Sequence, residues 1–295
     1  MTTIKTQPLK WHGGKSDNTG LAQWIRSLAP PSVIEDPAAG YTHRGHAFAG
    51  GLGEFWNWPH EGISETINDL DGELVNFWNV LADPLAFHIM ARYLATTPLA
   101  EPLWIRSART WEKTATARRI AAGSTVPVDL AIAFFIRYRM SRQGLGKDYA
   151  TPTTRTRRGM NEQVSAWLSA VDGLPECHQR IRRVEIRNLA AVDFLAQYDH
   201  ARALFYLDPP YLHTTRHGST ANHEYRQEMT EDDHRELLAR LAGLSGRFML
   251  SGYRSDLYDE AAAAGNWTRH QRASNLHSSS KKTKATRIEC LWTNY

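Results

Sequence analysis

Cysteine is scarce: Cys177 and Cys290 are the two in 295 residues, far apart in the chain and without metal-ligand spacing. That excludes a disulfide framework and points to two unpaired thiols in a reducing, cytoplasmic setting. Long apolar runs are also missing. The longest, Leu130 to Ile136, is far too short to span a bilayer, and Met1-Thr2-Thr3-Ile4-Lys5 contains no apolar signal core. There are thirteen histidines, but no His-x-x-x-His pair stands beside a cysteine pair, so no metal is expected. Internal repeats and long low-complexity tracts are absent. The Gly13-Gly14-Lys15-Ser16 stretch imitates a phosphate loop, yet Leu9 stands where the first glycine of such a loop belongs.

What the chain does have is a large apolar fraction, 42%, enough for a sizeable core. Its charge is unevenly spread. Twelve Lys or Arg lie between Trp104 and Arg158 against Glu112, Asp129 and Asp148, a net of +9 where the whole chain is only +4. The rest is therefore net acidic by five. Such a basic block is either a solvated helical surface or the electrostatic footprint of a nucleic-acid partner.

The rhythm of the chain is α/β. A helix is expected over 21–28, stopped by Pro30-Pro31. A first strand follows at Ser32–Asp36, its turn Pro37-Ala38-Ala39-Gly40 giving a ligand close access to backbone at Gly40. Gly50 to Gly62 is irregular and rich in Gly and Trp. Glu65 to Asp71 reads as a second strand ending in acids; Asp71 caps a helix over 72–81, which leaves Asp69 as the acid for a ribose. From Asp83-Pro84 to Met160 the pattern is helical and basic, with no sign of sheet strands, as expected of an inserted lobe. Helix (161–171) and strand (183–186) then alternate again. Asp193 and Phe194 are candidates to border a bound adenine, although an aromatic at such spacing is commonly core. Thr230 caps an amphipathic helix, Arg247 to Tyr253 is a strand, and Arg287 to Trp292 closes the chain as an edge-hairpin strand. The loop His277 to Lys284 is polar and basic.

The feature around which this is arranged is Asp208-Pro209-Pro210-Tyr211. It follows the apolar run Ala203–Leu207, a buried strand by composition. Two prolines forbid a helix there and hold an acid, a prolyl carbonyl and a ring at the strand's carboxyl end.

Four stretches occur in a recognisable order: Lys10-Trp11-His12-Gly13-Gly14-Lys15, Asp36-Pro37-Ala38-Ala39-Gly40, Asn68-Asp69-Leu70-Asp71-Gly72-Glu73-Leu74 and Asp208-Pro209-Pro210-Tyr211. With them the chain resembles the Dam-like DNA adenine methyltransferases, particularly those of phages and prophages. The resemblance runs from Pro8 to the closing strand, the basic lobe matching only in position and character. It implies a Rossmann-like sheet (1–83 and 161–295) with a helical target-recognition insertion (84–160). It also implies S-adenosylmethionine as methyl donor and the N6 amine of adenine in duplex DNA as acceptor, flipped from the helix. Carried over by residue, it gives Trp11, Lys15, Gly40, Asp69, Asp193 and Asp208 to the cofactor, and Asp208, Pro209 and Tyr211 to catalysis. Arg137, Arg139, Arg142, Lys147 and Arg155 are the residues of the basic lobe expected at DNA. The glycine motif departs from the family pattern, since Gly40 is followed by Tyr41-Thr42 and not by a second glycine. A restriction partner would leave no trace in this chain, and a monomer is expected. The alternatives are a cytosine N4 methyltransferase, an RNA substrate, or a catalytically silent DNA-binding relative.

Overall fold

A computed structural model describes residues 4–15, 20–115, 127–212, 228–275 and 286–295. The basic residues Arg118 and Arg119 and the loop from His277 to Lys284 lie outside this set. The chain forms two compact units. One, here the sheet unit, comprises residues 17–49, 58–70 and 187–295; the other, the helical unit, comprises 1–16, 50–57 and 71–186. These boundaries differ from an insertion confined to 84–160: the N-terminal stretch and the 50–57 loop pack with the helices.

The strands are β1 (His43–His46), β2 (Ser64–Asn68), a small hairpin β3 (Thr156–Arg157) and β4 (Met160–Asn161), then β5 (Glu185–Arg187), β6 (Ala203–Leu207), β7 (Arg247–Gly252), β8 (Thr268–Asn275) and β9 (Thr286–Thr293). Seven of them form one sheet in the order β5-β2-β1-β6-β7-β9-β8. β2, β1, β6 and β7 run parallel, and β9 and β8 are antiparallel. β9 pairs with both β7 and β8, so it is interior; the edge is β8, a polar segment whose pattern gave no strand signal.

β6 is buried along its whole length and its side chains alternate between two cores. Phe205 and Leu207 join Phe248, Leu250 and Trp292 on one face, covered by α8 (Ala191–Tyr198), α9 (Glu231–Ala242) and α10 (Asp256–Ala264). Leu204 and Tyr206 join Met249 and Leu291 on the other, against Leu21 and Ile25 of α1 (Leu21–Ser27). Thr230 caps α9 in a reciprocal capping box with Asp233.

The first strand is not where the apolar pattern put it. Ser32–Asp36 is a turn, with a single bridge from Ser32 to Tyr41. Its acids are engaged locally: the Glu35 carboxylate accepts from the Ser32 amide and hydroxyl, and Asp36 accepts from the amides of Ala38 and Ala39. Side-chain bonds of this kind compete with a ladder and win here, where Pro30, Pro31 and Pro37 remove donors. The strand is instead His43-Arg44-Gly45-His46, buried at every position despite its polarity. Arg44 sits opposite Glu65 of β2 and forms an ion pair with it, donates to the Pro59 carbonyl at 2.9 Å and lies over the Trp58 ring at 4.5 Å. The pairing of Arg44 with Glu65, and of His43 with Thr66, offsets part of the cost of burying such a strand.

The helical unit holds α2 (Gly72–Ala82), α3 (Pro84–Ala95), α4 (Glu101–Ala115), α5 (Val128–Arg139), α6 (Glu162–Asp172) and α7 (Leu174–Ile181). Asp71 caps α2 by accepting from the Glu73 amide, and Asp83 caps α3 with proline at the next position. Phe77 of α2 stacks on Phe134 and Phe135 of α5, and Phe135 meets Trp167 of α6. The β3–β4 hairpin interrupts the region expected to lack strands. Its tip is Arg158-Gly159, both at positive φ, which is the two-residue turn that suits strand twist. Among the described residues no helix is long and apolar enough to cross a membrane.

Candidate active site

In the sheet unit, Asp208 is the first residue after β6, the strand flanked by β1 and β7. The Asp208-Pro209-Pro210-Tyr211 turn thus leaves the carboxyl end of a central parallel strand. Pro209 is buried, while Asp208 and Tyr211 are half-buried. The Tyr211 hydroxyl donates to Glu289 Oε2 of β9 at 3.1 Å, and its ring meets Tyr253 edge-on, centroids 4.6 Å apart. Burial of the phenol pushes its pKa well above the usual tyrosine range, and the carboxylates of Glu289 and Asp208 add to the shift.

Asp69 follows β2, next to β1 in the sheet. Its carbonyl accepts from Asn188 Nδ2 at 2.7 Å, which fixes the backbone at the acid. Asn68, which sequence reasoning passed over, is the organiser here. Its side chain donates to the carbonyls of Ala47 and Leu189 and accepts from the Leu189 amide, joining the end of β2 to the segments that follow β1 and β5. Asp193 lies exposed in the first turn of α8, and Phe194 beside it is fully buried in the sheet core, the common fate of an aromatic at such spacing.

Gly40 precedes β1 instead of following the first strand. A Cβ there would fall 2.2 Å from the Ser32 carbonyl oxygen, and its own carbonyl accepts from Arg202 Nε at 2.8 Å. Close packing accounts for this glycine, and the premise that gave it a cofactor is gone. The loop that does follow β1 is Ala47-Phe48-Ala49-Gly50-Gly51-Leu52-Gly53. Its glycine cluster is visible in the sequence but looks irregular there, because the strand before it is polar.

From residue 50 that loop belongs to the helical unit, with Trp11 and Lys15. A Cβ on Gly51 would lie 2.5 Å from the Trp11 Cβ, and one on Gly53 would lie 2.5 Å from the Lys15 carbonyl oxygen. The N-terminal stretch therefore lies directly on the glycine loop, possible only where side chains are absent. Trp11 stacks on Tyr138 of α5 at 4.9 Å, and Lys15 is buried. Lys10 donates from Nζ to the Ser141 carbonyl at 2.9 Å; burial, then neighbouring Arg139, lowers its pKa.

The five basic residues divide by environment. Arg137 donates from Nε to the Gly146 carbonyl at 2.7 Å, and Arg139 from Nη2 to the Ala166 carbonyl at 3.0 Å. Burial lowers the Arg139 pKa to about 10, still cationic at neutral pH. Both brace the unit. Arg142 and Lys147 are exposed, as is Arg155, which pairs with Glu162 at 3.0 Å. Arg157 and Arg158 extend this exposed group onto the hairpin. Lys10, Arg142, Arg155, Glu162 and Gln163 line an open cleft of about 250 Å³.

A seven-stranded sheet of this order, with an acid–proline–proline–aromatic turn after its central strand and a glycine loop after β1, defines a methyltransferase of the S-adenosylmethionine-dependent class. The model of the D12 class N6 adenine-specific DNA methyltransferases matches residues 11–283, and the chain belongs to that family. It is an enzyme that methylates the N6 amine of adenine in DNA, with S-adenosylmethionine as donor and the target base extruded. No curated protein matches the chain.

Proposed function

We propose that Asp208, the Pro209 carbonyl and Tyr211 act on the extruded adenine of a duplex, and that Asp69, Asp193, Trp11, Lys15 and the Gly50–Gly53 loop hold the cofactor. The residues fit that group by their chemistry. Asp69 offers an acceptor for ribose hydroxyls at the end of β2, and the glycine loop follows the adjacent strand, as nucleotide-type ligands require. Bound S-adenosylmethionine supplies an electrophilic methyl group. The work of this chain is to make the amine receptive to it. The lone pair of the adenine amine is delocalised into the ring, so two acceptors taking its two hydrogens favour a tetrahedral nitrogen with a directed pair. Asp208 and the Pro209 carbonyl are those acceptors, held still by the two prolines. The methylated nitrogen sheds one proton, which the Asp208 carboxylate holds before release to solvent. The ring of Tyr211 stacks on the base, contributing about 1–3 kcal/mol against an extrusion cost of a few kcal/mol.

The exposed cations Arg142, Lys147, Arg155, Arg157 and Arg158 take DNA phosphates, and residues 84–160 serve as the recognition lobe. We assign the protein to the cytoplasm, acting as a monomer. The position of Asp208 at the carboxyl end of β6 is the observation that carries this reading. Calorimetry with S-adenosylmethionine and a methyl-incorporation assay separate the roles. Asp69→Ala should weaken cofactor binding, whereas Asp208→Ala should bind DNA normally and transfer no methyl. Methyl incorporation by Asp208→Ala at the wild-type level rules the assignment out.

A further inference from the structure

We infer that Glu289 is a positioning residue for methyl transfer, one that fixes the Tyr211 ring in advance for the extruded adenine. The inference rests on the stacking role proposed for Tyr211. Glu289 belongs to β9, where Cys290, Leu291 and Trp292 beside it are buried and the glutamate itself is only 9% exposed. A buried carboxylate is costly unless it accepts hydrogen bonds, and the Tyr211 hydroxyl supplies one at 3.1 Å across 78 residues of chain. Tyr253, just past β7, restrains the same ring edge-on at 74°. The tyrosine is therefore held at its hydroxyl end and against the Tyr253 ring while keeping partial exposure. A ring held this way has already lost the rotamer freedom that stacking would otherwise consume. The anchor also accounts for a tyrosine at this position, since phenylalanine would stack equally well but could not be tethered.

The test uses the full chain, plasmid DNA that the wild type methylates, and steady-state kinetics. A duplex with 2-aminopurine at the mapped target position reports base extrusion by fluorescence. Tyr211→Phe and Glu289→Ala should each lower kcat about tenfold, the kinetic equivalent of one hydrogen bond to a charged group. Both should also weaken the extrusion signal while leaving cofactor KM within about twofold, because Glu289 acts on the base-stacking ring alone. Glu289→Gln keeps an acceptor oxygen and should recover turnover to within about threefold of wild type. Adding Glu289→Ala to Tyr211→Phe should cost nothing further, since both changes break one contact. Wild-type turnover and extrusion by Tyr211→Phe, or multiplying losses in the double variant, overturn the inference. Should Glu289→Ala not fold, Tyr211→Phe and Glu289→Gln decide alone: a slow Phe variant beside a near-normal Gln variant supports the anchor, and any other pairing overturns it. Asp208→Ala serves as the control. If it still methylates, the site reading itself has failed; if it is inactive while Tyr211→Phe is normal, only the anchor has failed.

Discussion

Arg44 shows how far one side chain can mislead a reading of polarity. It is fully buried in β1, opposite Glu65, with the Pro59 carbonyl, the Tyr41 hydroxyl and the Trp58 ring completing its surroundings. A buried ion pair is weak evidence of net stabilisation, but an orphaned member is expensive. Glu65→Ala should therefore cost about 3–5 kcal/mol of folding stability, while replacing both partners by apolar residues of similar size should cost much less. Urea denaturation of the single and double variants checks this, and equal losses in the two would contradict it. The same reasoning applies to Arg137 and Arg139. Their type and position suggest DNA contacts, and each donates from one guanidinium nitrogen to a carbonyl of its own unit. Charge alone does not separate a bracing arginine from a ligand-binding one; only the local acceptors do.

At the scale of elements, the β3–β4 hairpin and the segment before it carry the exposed cations. Reversing Arg142, Lys147 and Arg157 to Glu should weaken DNA binding and make its salt dependence shallower, because fewer counterions are released on binding. Reversing Arg137 and Arg139 should lower thermal stability instead. A salt slope unchanged by the first set would argue against a DNA role for this surface. Much of the element order was legible: β2, β6 and β7, helices α1, α2, α6 and α9, and the caps Asp71 and Thr230 follow from periodicity, turn residues and capping chemistry. What escaped was polar. β1 hid behind its charged residues, β8 offered no apolar alternation, and β3 and β4 are two residues each. Losing β1 displaced the glycine loop by one turn of the chain, from Gly50–Gly53 to Gly40. The Asp-Pro-Pro-Tyr turn is legible in the sequence, because an apolar strand broken by two prolines is unambiguous locally. Its anchor is not, since Glu289 lies 78 residues away and nothing in the sequence links the two.

Considered whole, the molecule divides its chemistry between two units. Asp69, Asp193, Asp208, Pro209, Tyr211 and Glu289 belong to the sheet unit, whereas Trp11, Lys15, the Gly50–Gly53 loop and the exposed cations belong to the helical one. Each unit interleaves in sequence with the other: residues 50–57 leave the sheet unit after β1, and the chain returns at 58 to build β2. Activity should therefore require the intact chain. Nucleoside analysis of the reaction product shows whether the Asp208 turn methylates an adenine amine. Duplex DNA is incubated with methyl-labelled S-adenosylmethionine and the purified protein, wild type or Asp208→Ala, then digested to nucleosides. Label is expected in N6-methyladenine from the wild type and none from Asp208→Ala; label in N4-methylcytosine, or label persisting in the variant, rules out this role for the turn.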